Sequence, residues 1–341
     1  MLSSALASVV SSIPSPPESS WSWEFGPITL GPFTFSQFTI HFYALCIIAG
    51  IVVATLLTNR RLTKRGAEPW VVIDIGLFAV PLAIIGARIF HVVTHPGYYF
   101  GEGSNPWNVA EPGSVWAIWE GGIAIYGALI GGAIGAFIGC RWTGIRFWTF
   151  ADALAPGLLL AQALGRFGNW FNQELFGWPT DLPWGLEIDA DNPAIPAGLE
   201  DGTLFHPTFL YEVLWNLLGV AVLLWLGRKG FMQWGRLFAT YLLWYGAGRV
   251  VWESIRIDPS EVIFGLRTNV WASIAAIVLG LVILGVQQHH TGREPSPYRP
   301  GRGRPDAEVD SDDTEGYVDT SEPPLHDAPA TAAATSTAAA N

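Results

Sequence analysis

The chain has 341 residues, 50% of them hydrophobic and only 14% charged, with a mean hydropathy of +0.33. A soluble domain carries about 25% charged residues, so a soluble globular protein is excluded. The apolar runs are long and unbroken rather than alternating, which excludes a membrane β-barrel and leaves an all-α integral membrane protein. The net charge of −11 does not describe a substrate, because about half of it lies in the C-terminal tail; the sparse basic residues also exclude nucleic acid as a partner.

Residues 1–37 form a lead-in without the basic n-region of a cleaved signal peptide, read as weakly amphipathic or disordered. Seven spans follow, at about 38–58, 71–94, 117–139, 148–165, 208–227, 237–256 and 270–286. The fourth is short and carries Asp152 and Pro156, whose polar groups must be covered by neighbouring helices. Cys46 and Cys140 fall at different depths and are read as packing residues rather than a disulfide. The third span repeats Gly127, Gly131, Gly135 and Gly139 every four residues, a stripe suited to close helix approach.

The loops fix an expected orientation. Arg60, Arg61, Lys64 and Arg65, then Arg141 and Arg146, then Arg228, Lys229 and Arg236, and finally Arg293, Arg299, Arg302 and Arg304 all fall on one side once seven spans are threaded. That side is expected to be cytoplasmic, with the N-terminus outside and the C-terminus inside. Segments 96–115 and 166–206, rich in Pro, Gly and aromatics, are expected to form a small ordered extracytoplasmic head on the transmembrane domain 38–286. From 287 to 341 the composition shifts to Pro, Ala, Thr, Ser, Asp and Glu, which reads as a disordered cytoplasmic tail.

Five arginines oppose the topology rule: Arg88, Arg166, Arg249, Arg256 and Arg267 all lie near outer ends of spans. Charged groups at membrane depth mark function by default, and arginine suits bidentate phosphate contact. Arg166 is followed by Asn169, Asn172 and Glu174, which either cap a helix end or line a site. Tyr245, Arg249, Glu253 and Arg256 fall within one 80° stripe at about 100° per residue. They form either a structural salt bridge or, with two arginines to one glutamate, a site short of one anion. His41 and Tyr43 open the first span and read as belt aromatics or as site residues, while Tyr126 and Glu120 lie at the arginines' depth. Arg88, His91 and His95 share a face of the second span; no metal set or cofactor motif emerges. The shared chemistry is an outer-leaflet cavity for an anionic phospholipid head. A lipid transporter would instead spread polar groups through several spans, and a scaffold would leave Asn169, Asn172 and Glu174 without a role.

Gly165–Gly177, GRFGNWFNQELFG, resembles the signature of the prolipoprotein diacylglyceryl transferases at Gly165, Arg166, Gly168, Asn169, Trp170, Asn172, Glu174 and Gly177. HFYAL at 41–45, EGGIAIYGALIGG at 120–132, HPTFLYE at 206–212 and YGAGRVVWESIR at 245–256 extend the resemblance over about 38–286. The resemblance implies a seven-helix bundle with a small head. It also implies transfer of the diacylglyceryl group of phosphatidylglycerol to the lipobox cysteine of a prolipoprotein, releasing glycerol phosphate without a cofactor. Arg166 and Arg249 would bind phosphate, supported by Asn169, Glu174, Tyr43, Tyr245 and Glu253, with Asn172, Gly177, Arg256 and Arg88 completing the substrate-binding set. Many members carry His-Gly-Gly where this chain has Tyr126-Gly127, so the proton acceptor stays open between Tyr126 and His41.

Overall fold

The computed structural model describes residues 12–30, 33–101, 105–109, 113–258, 260–290 and 292–302, except the side chains of 29, 30, 33–37 and 120. A hairpin of β1 (Ser20–Leu30) and β2 (Phe33–His41) leads into α1 (Phe42–Thr63), followed by α2 (Val71–Thr94) and the short α3 (Pro96–Tyr99). Then come α4 (Ile125–Thr143), α5 (Phe147–Phe171), α6 (Thr208–Leu226), α7 (Arg236–Ser254), the two-residue strands β3 (Val262–Ile263) and β4 (Leu266–Arg267), and α8 (Thr268–Gln287). Among the described residues six helices are long and apolar enough to cross a membrane: α1, α2, α4, α5, α6 and α8. At 19 residues α7 matches them in length. Its lower apolarity comes from Arg236, Arg249 and Glu253, and its neighbours α5, α6 and α8 shelter that polar stripe.

Backbone contact between helices explains the glycine stripes. Without a water-driven hydrophobic force inside the bilayer, helix association depends on packing, and small residues admit it. On α4 a Cβ at Gly127 would lie 2.2 Å from the Gly86 carbonyl oxygen, one at Gly131 2.1 Å from that of Leu82, and one at Gly135 2.4 Å from that of Phe78. The third helix starts at Ile125 rather than near 117, because Gly121 and Gly122 adopt φ of +90° and +70° and break the helical path after a 3-10 turn at Ile118–Glu120.

The polar residues of α5 are covered by partners. Pro156 has no N–H, which frees the carbonyl of Asp152 four residues back, and Arg61 Nη2 donates to that oxygen at 3.3 Å. The fully buried Asp152 carboxylate accepts the N–H groups of Gly235 at 2.8 Å and Phe238 at 2.9 Å, capping the start of α7 from a different helix. One residue of α5 thus sets where α7 begins.

Two terminal expectations need correction. The lead-in is structured from residue 12: it contains the hairpin, and Ile13 pairs with Leu186. The expected disordered tail starts with an ordered strap. Glu294 is 1% exposed, accepts the Thr149 hydroxyl at 2.6 Å and donates its N–H to Gln233 Oε1 at 2.6 Å. The Tyr298 hydroxyl accepts the Glu68 N–H at 2.9 Å, and Arg146 donates its N–H to the Pro297 carbonyl at 2.8 Å. Composition masked this strap because only its few anchoring side chains carry the contacts. Residues 303–341 of the expected tail lie outside the described residues.

Candidate functional site

Where α5 ends, the chain leaves the helix through two non-glycine residues with positive φ, Gln173 at 49° and Leu175 at 61°. Such conformations cost about 1 kcal/mol or more each and cluster at functional sites. They turn Glu174 back, so that its N–H reaches the Asn169 carbonyl at 3.1 Å and its carboxylate receives the Asn169 amide at 2.7 Å and the Asn172 amide at 3.4 Å. Asn169 Oδ1 in turn accepts Arg166 Nη1 at 3.0 Å. A cap packs beyond this turn around Phe176, Leu186, Phe205 and Phe209. Gly177 fits there without a side chain because a Cβ would lie 2.8 Å from the His206 Cβ and 2.9 Å from the Ile255 carbonyl oxygen, and Gly177 pairs with Arg256 across that gap.

The second constellation meets the first through Glu212, one turn into α6. Its Oε2 lies 2.7 Å from Arg166 Nε and 3.6 Å from Arg249 Nη1. Arg249 Nη2 pairs with Glu253 at 3.1 Å, while its buried Nη1 has no hydrogen-bond partner. Glu253 is fully buried, receives Arg256 Nη1 at 3.3 Å and the Asn269 amide at 3.0 Å, and forms an ion pair with Arg267, whose Nε lies 3.0 Å away. Asp258 binds Arg256 Nε at 2.7 Å and Arg267 Nη2 at 3.0 Å. Desolvation of the buried Arg256 guanidinium opposes its charge, and the bonds it donates to the Asp258 carboxylate outweigh it, so its pKa stands above the ordinary value. Tyr126 joins this network by donating its hydroxyl to Asn269 Oδ1 at 3.2 Å.

Around the α7 stripe Arg166, Arg249, Arg256 and Arg267 pair with Glu212, Glu253 and Asp258, four guanidiniums against three carboxylates, while Glu174 is held by the amides of Asn169 and Asn172. Arg249 Nη1 keeps its donor without a hydrogen-bond partner among the described residues, at a cleft lined by Glu212, Trp215, Asn216, Tyr245, Gly248 and Trp252. Trp215 and Trp244 stack with centroids 4.4 Å apart, and each indole N–H donates to the other's carbonyl at 3.1 Å, which makes an aromatic wall between α6 and α7.

Tyr43 packs on α5 at Gly168, where a Cβ would reach its Cδ2 at 2.5 Å. His41 ends β2, exposed, with no side-chain cap bond to α1. Arg88 stands apart from the arginine pair. Its guanidinium donates to the carbonyls of Val115 at 2.8 Å, Ser114 at 2.7 Å, Gly121 at 2.7 Å and Gly122 at 3.2 Å, so it fastens the 113–122 loop to α2. Those bonds take up its Nε, Nη1 and Nη2 on the loop backbone. His91 and His95 stack at 4.2 Å beside it. The side chain of Glu120 lies outside the described residues.

Sequence reasoning missed Glu212, Asp258 and Asn269, and saw Arg267 only as a basic residue on the unexpected side. Glu212 ends the HPTFLYE stretch, which was a usable signal; Asp258 and Asn269 have none, since Asp258 is placed by loop 255–267 folding back and Asn269 by the first turn of α8.

This bundle of long apolar helices is that of a multi-pass membrane protein, with a network of ion-paired arginines and carboxylates beside a cleft at one end. A sequence profile of the prolipoprotein diacylglyceryl transferases matches residues 32–286. A phosphatidylglycerol–prolipoprotein diacylglyceryl transferase of Leifsonia xyli subsp. xyli is 66% identical over 262 residues, 76% of this chain and 78% of that one. Proteins of the same name are 47% identical in Streptomyces coelicolor, over 70% of this chain and 73% of theirs, and 46% identical in Bifidobacterium longum, over 68% and 74%. The chain belongs to the prolipoprotein diacylglyceryl transferase family and is a multi-pass membrane transferase.

Proposed function

We propose that this chain transfers the diacylglyceryl group of phosphatidylglycerol to the lipobox cysteine thiol of prolipoprotein signal peptides, and that Arg166 and Arg249 hold the phosphate while it does so. The observation that carries the residue assignment is the convergence of both guanidiniums on Glu212, with Arg249 Nη1 left unsatisfied at the cleft. Arg166 keeps its place through Asn169 and Glu174, and Arg249 through Glu253. Tyr43 and Tyr245 flank the pair, and the Trp215–Trp244 wall and the exposed aliphatic faces of the spans suit acyl chains.

The step balances as follows. The thiol gives up its proton, sulfur bonds to the glycerol carbon that bears the phosphate ester, and the carbon–oxygen bond breaks with its electron pair on the phosphate side. The leaving group passes from a singly charged diester to a monoester of nearly two charges. Guanidiniums already aimed at those oxygens stabilise the charge as it develops, an effect of about 3–4 kcal/mol per donor. Tyr126 and His41 are the two candidates to take the thiol proton; the Tyr126 hydroxyl here carries its proton and donates it to Asn269 Oδ1.

The basic loops support the orientation. Arg65 lies 3.9 Å from Glu294, Arg299 donates to the Arg141 carbonyl at 3.2 Å, and Arg236 donates to the Gln287 carbonyl at 2.6 Å, so the basic loops and the strap share one end of the bundle. That end faces the cytoplasm by the positive-inside rule, which sets the arginine site and the cap outside. Purified protein given phosphatidylglycerol and a lipobox peptide is expected to add a diacylglyceryl mass to the peptide; a peptide of unchanged mass overturns the reading.

A further inference from the structure

Arg166 and Arg249 are not an empty clamp. The Glu212 carboxylate sits between them, 6% exposed, with one oxygen 2.7 Å from the first guanidinium and 3.6 Å from the second. The remaining guanidinium edges point elsewhere, Arg166 Nη1 to Asn169 and Arg249 Nη2 to Glu253. An anion arriving at the cleft meets a pair whose charge is already partly answered by a carboxylate that cannot leave, because α6 anchors it.

We propose that Glu212 is a specificity-determining residue: it restricts the arginine pair to singly charged phosphodiester head groups and expels the doubly charged phosphomonoester that the reaction releases. The inference rests on the function proposed above. Its physical basis is a charge count at the site, where the four guanidiniums of Arg166, Arg249, Arg256 and Arg267 pair with three carboxylates, Glu212, Glu253 and Asp258, which leaves room for one further negative charge. A diester adds one negative charge beside Glu212. The monoester adds nearly two and suffers the same repulsion twice over, in a cleft walled by Trp215 and Trp252 where charge interactions are poorly screened. The site therefore attracts the substrate and weakens its hold as the carbon–oxygen bond breaks. Two arginines without the carboxylate would do the opposite and bind the product more tightly than the substrate.

The test uses the full chain in lipid nanodiscs with phosphatidylglycerol, a lipobox peptide and added glycerol phosphate. Glycerol phosphate passes from one charge to two with a pKa near 6. In the unaltered protein its inhibition is expected to be at least about 5-fold stronger at pH 5.5 than at pH 7.5. In E212Q, which retains an oxygen for Arg166, inhibition at pH 7.5 is expected to strengthen at least about 10-fold while the KM for phosphatidylglycerol changes several-fold less; E212D should retain weak inhibition. Inhibition that strengthens with pH in the unaltered protein, or an E212Q change equal for substrate and product, overturns the proposal. Should E212Q not fold, the pH comparison on the unaltered protein decides alone. A failure of all proteins to modify the peptide would instead refute the functional reading itself.

Discussion

The Asn169 amide nitrogen donates to Glu174 Oε1 at 2.7 Å, five residues on and beyond the end of α5. That bond closes the turn through Gln173 and Leu175 and leaves Asn169 Oδ1 free to accept from Arg166. Asn169→Asp replaces the donor with a second carboxylate facing Glu174. The turn should loosen, with a stability loss of about 1–3 kcal/mol from the unsatisfied group and turnover of the lipobox peptide down at least about 100-fold. Thermal unfolding and peptide mass spectrometry check both.

Glu253 is a buried hub for three arginines and Asn269. Removing one partner of a buried pair leaves uncompensated charge and costs about 3–5 kcal/mol. Glu253→Gln should therefore lower the thermal midpoint markedly, and Glu253→Asp less. Equal midpoints for Glu253→Gln and the unaltered protein would show that the hub carries no structural burden.

Arg88 supplies donors to four loop carbonyls. Lysine carries charge but not the planar fork that reaches them. Arg88→Lys should expose the 113–122 loop to proteolysis and lower kcat by displacing Tyr126, with the KM for phosphatidylglycerol within about 2-fold. A raised KM with unchanged kcat would place Arg88 on the substrate after all.

Gly131→Leu tests the helix contact. A Cβ there meets the Leu82 carbonyl oxygen at 2.1 Å, so α2 and α4 must separate. Overpacking of this kind costs about 1–3 kcal/mol or more, and the loss should appear in the thermal midpoint. The surviving folded fraction should keep its KM.

Asp189 supplies a pH dependence outside the membrane. The hydrogen bond from Gln173, and then that from Ser15, holds its carboxyl below the ordinary carboxylate range. A lowered folded pKa contributes stability that is fully present above the unfolded value of about 3.9 and is lost as pH falls through the folded one. Amide exchange around 173–189 should quicken only as pH drops below about 4, and Asp189→Asn should abolish that dependence.

The spans were legible because hydrophobic length is a local property: 71–94 and 208–227 match α2 and α6 to within a residue. So were the glycine stripe and the GRFGNWFNQELFG turn. The hairpin carried a signal that was missed: Ser20–Phe25 and Phe33–His41 alternate polar with apolar residues as strands do, yet Trp21, Trp23, Ile28 and Phe38 stay exposed. The strap at 292–302 escaped notice because its anchors, Glu294 and Tyr298, are isolated in a polar composition.

By itself the sequence determined that the chain crosses a bilayer several times, which end of each span carries charge, and which motif residues cluster, because each follows from composition and spacing within one segment. Only the tertiary structure decided which arginines share a carboxylate. Glu212 joins Arg166 to Arg249 across three helices, Asp258 balances Arg256 and Arg267 from a folded-back loop, and Arg88 turns away to hold backbone. Coulomb energy depends on distance in space, and residues far apart in the chain are brought together only when the helices pack.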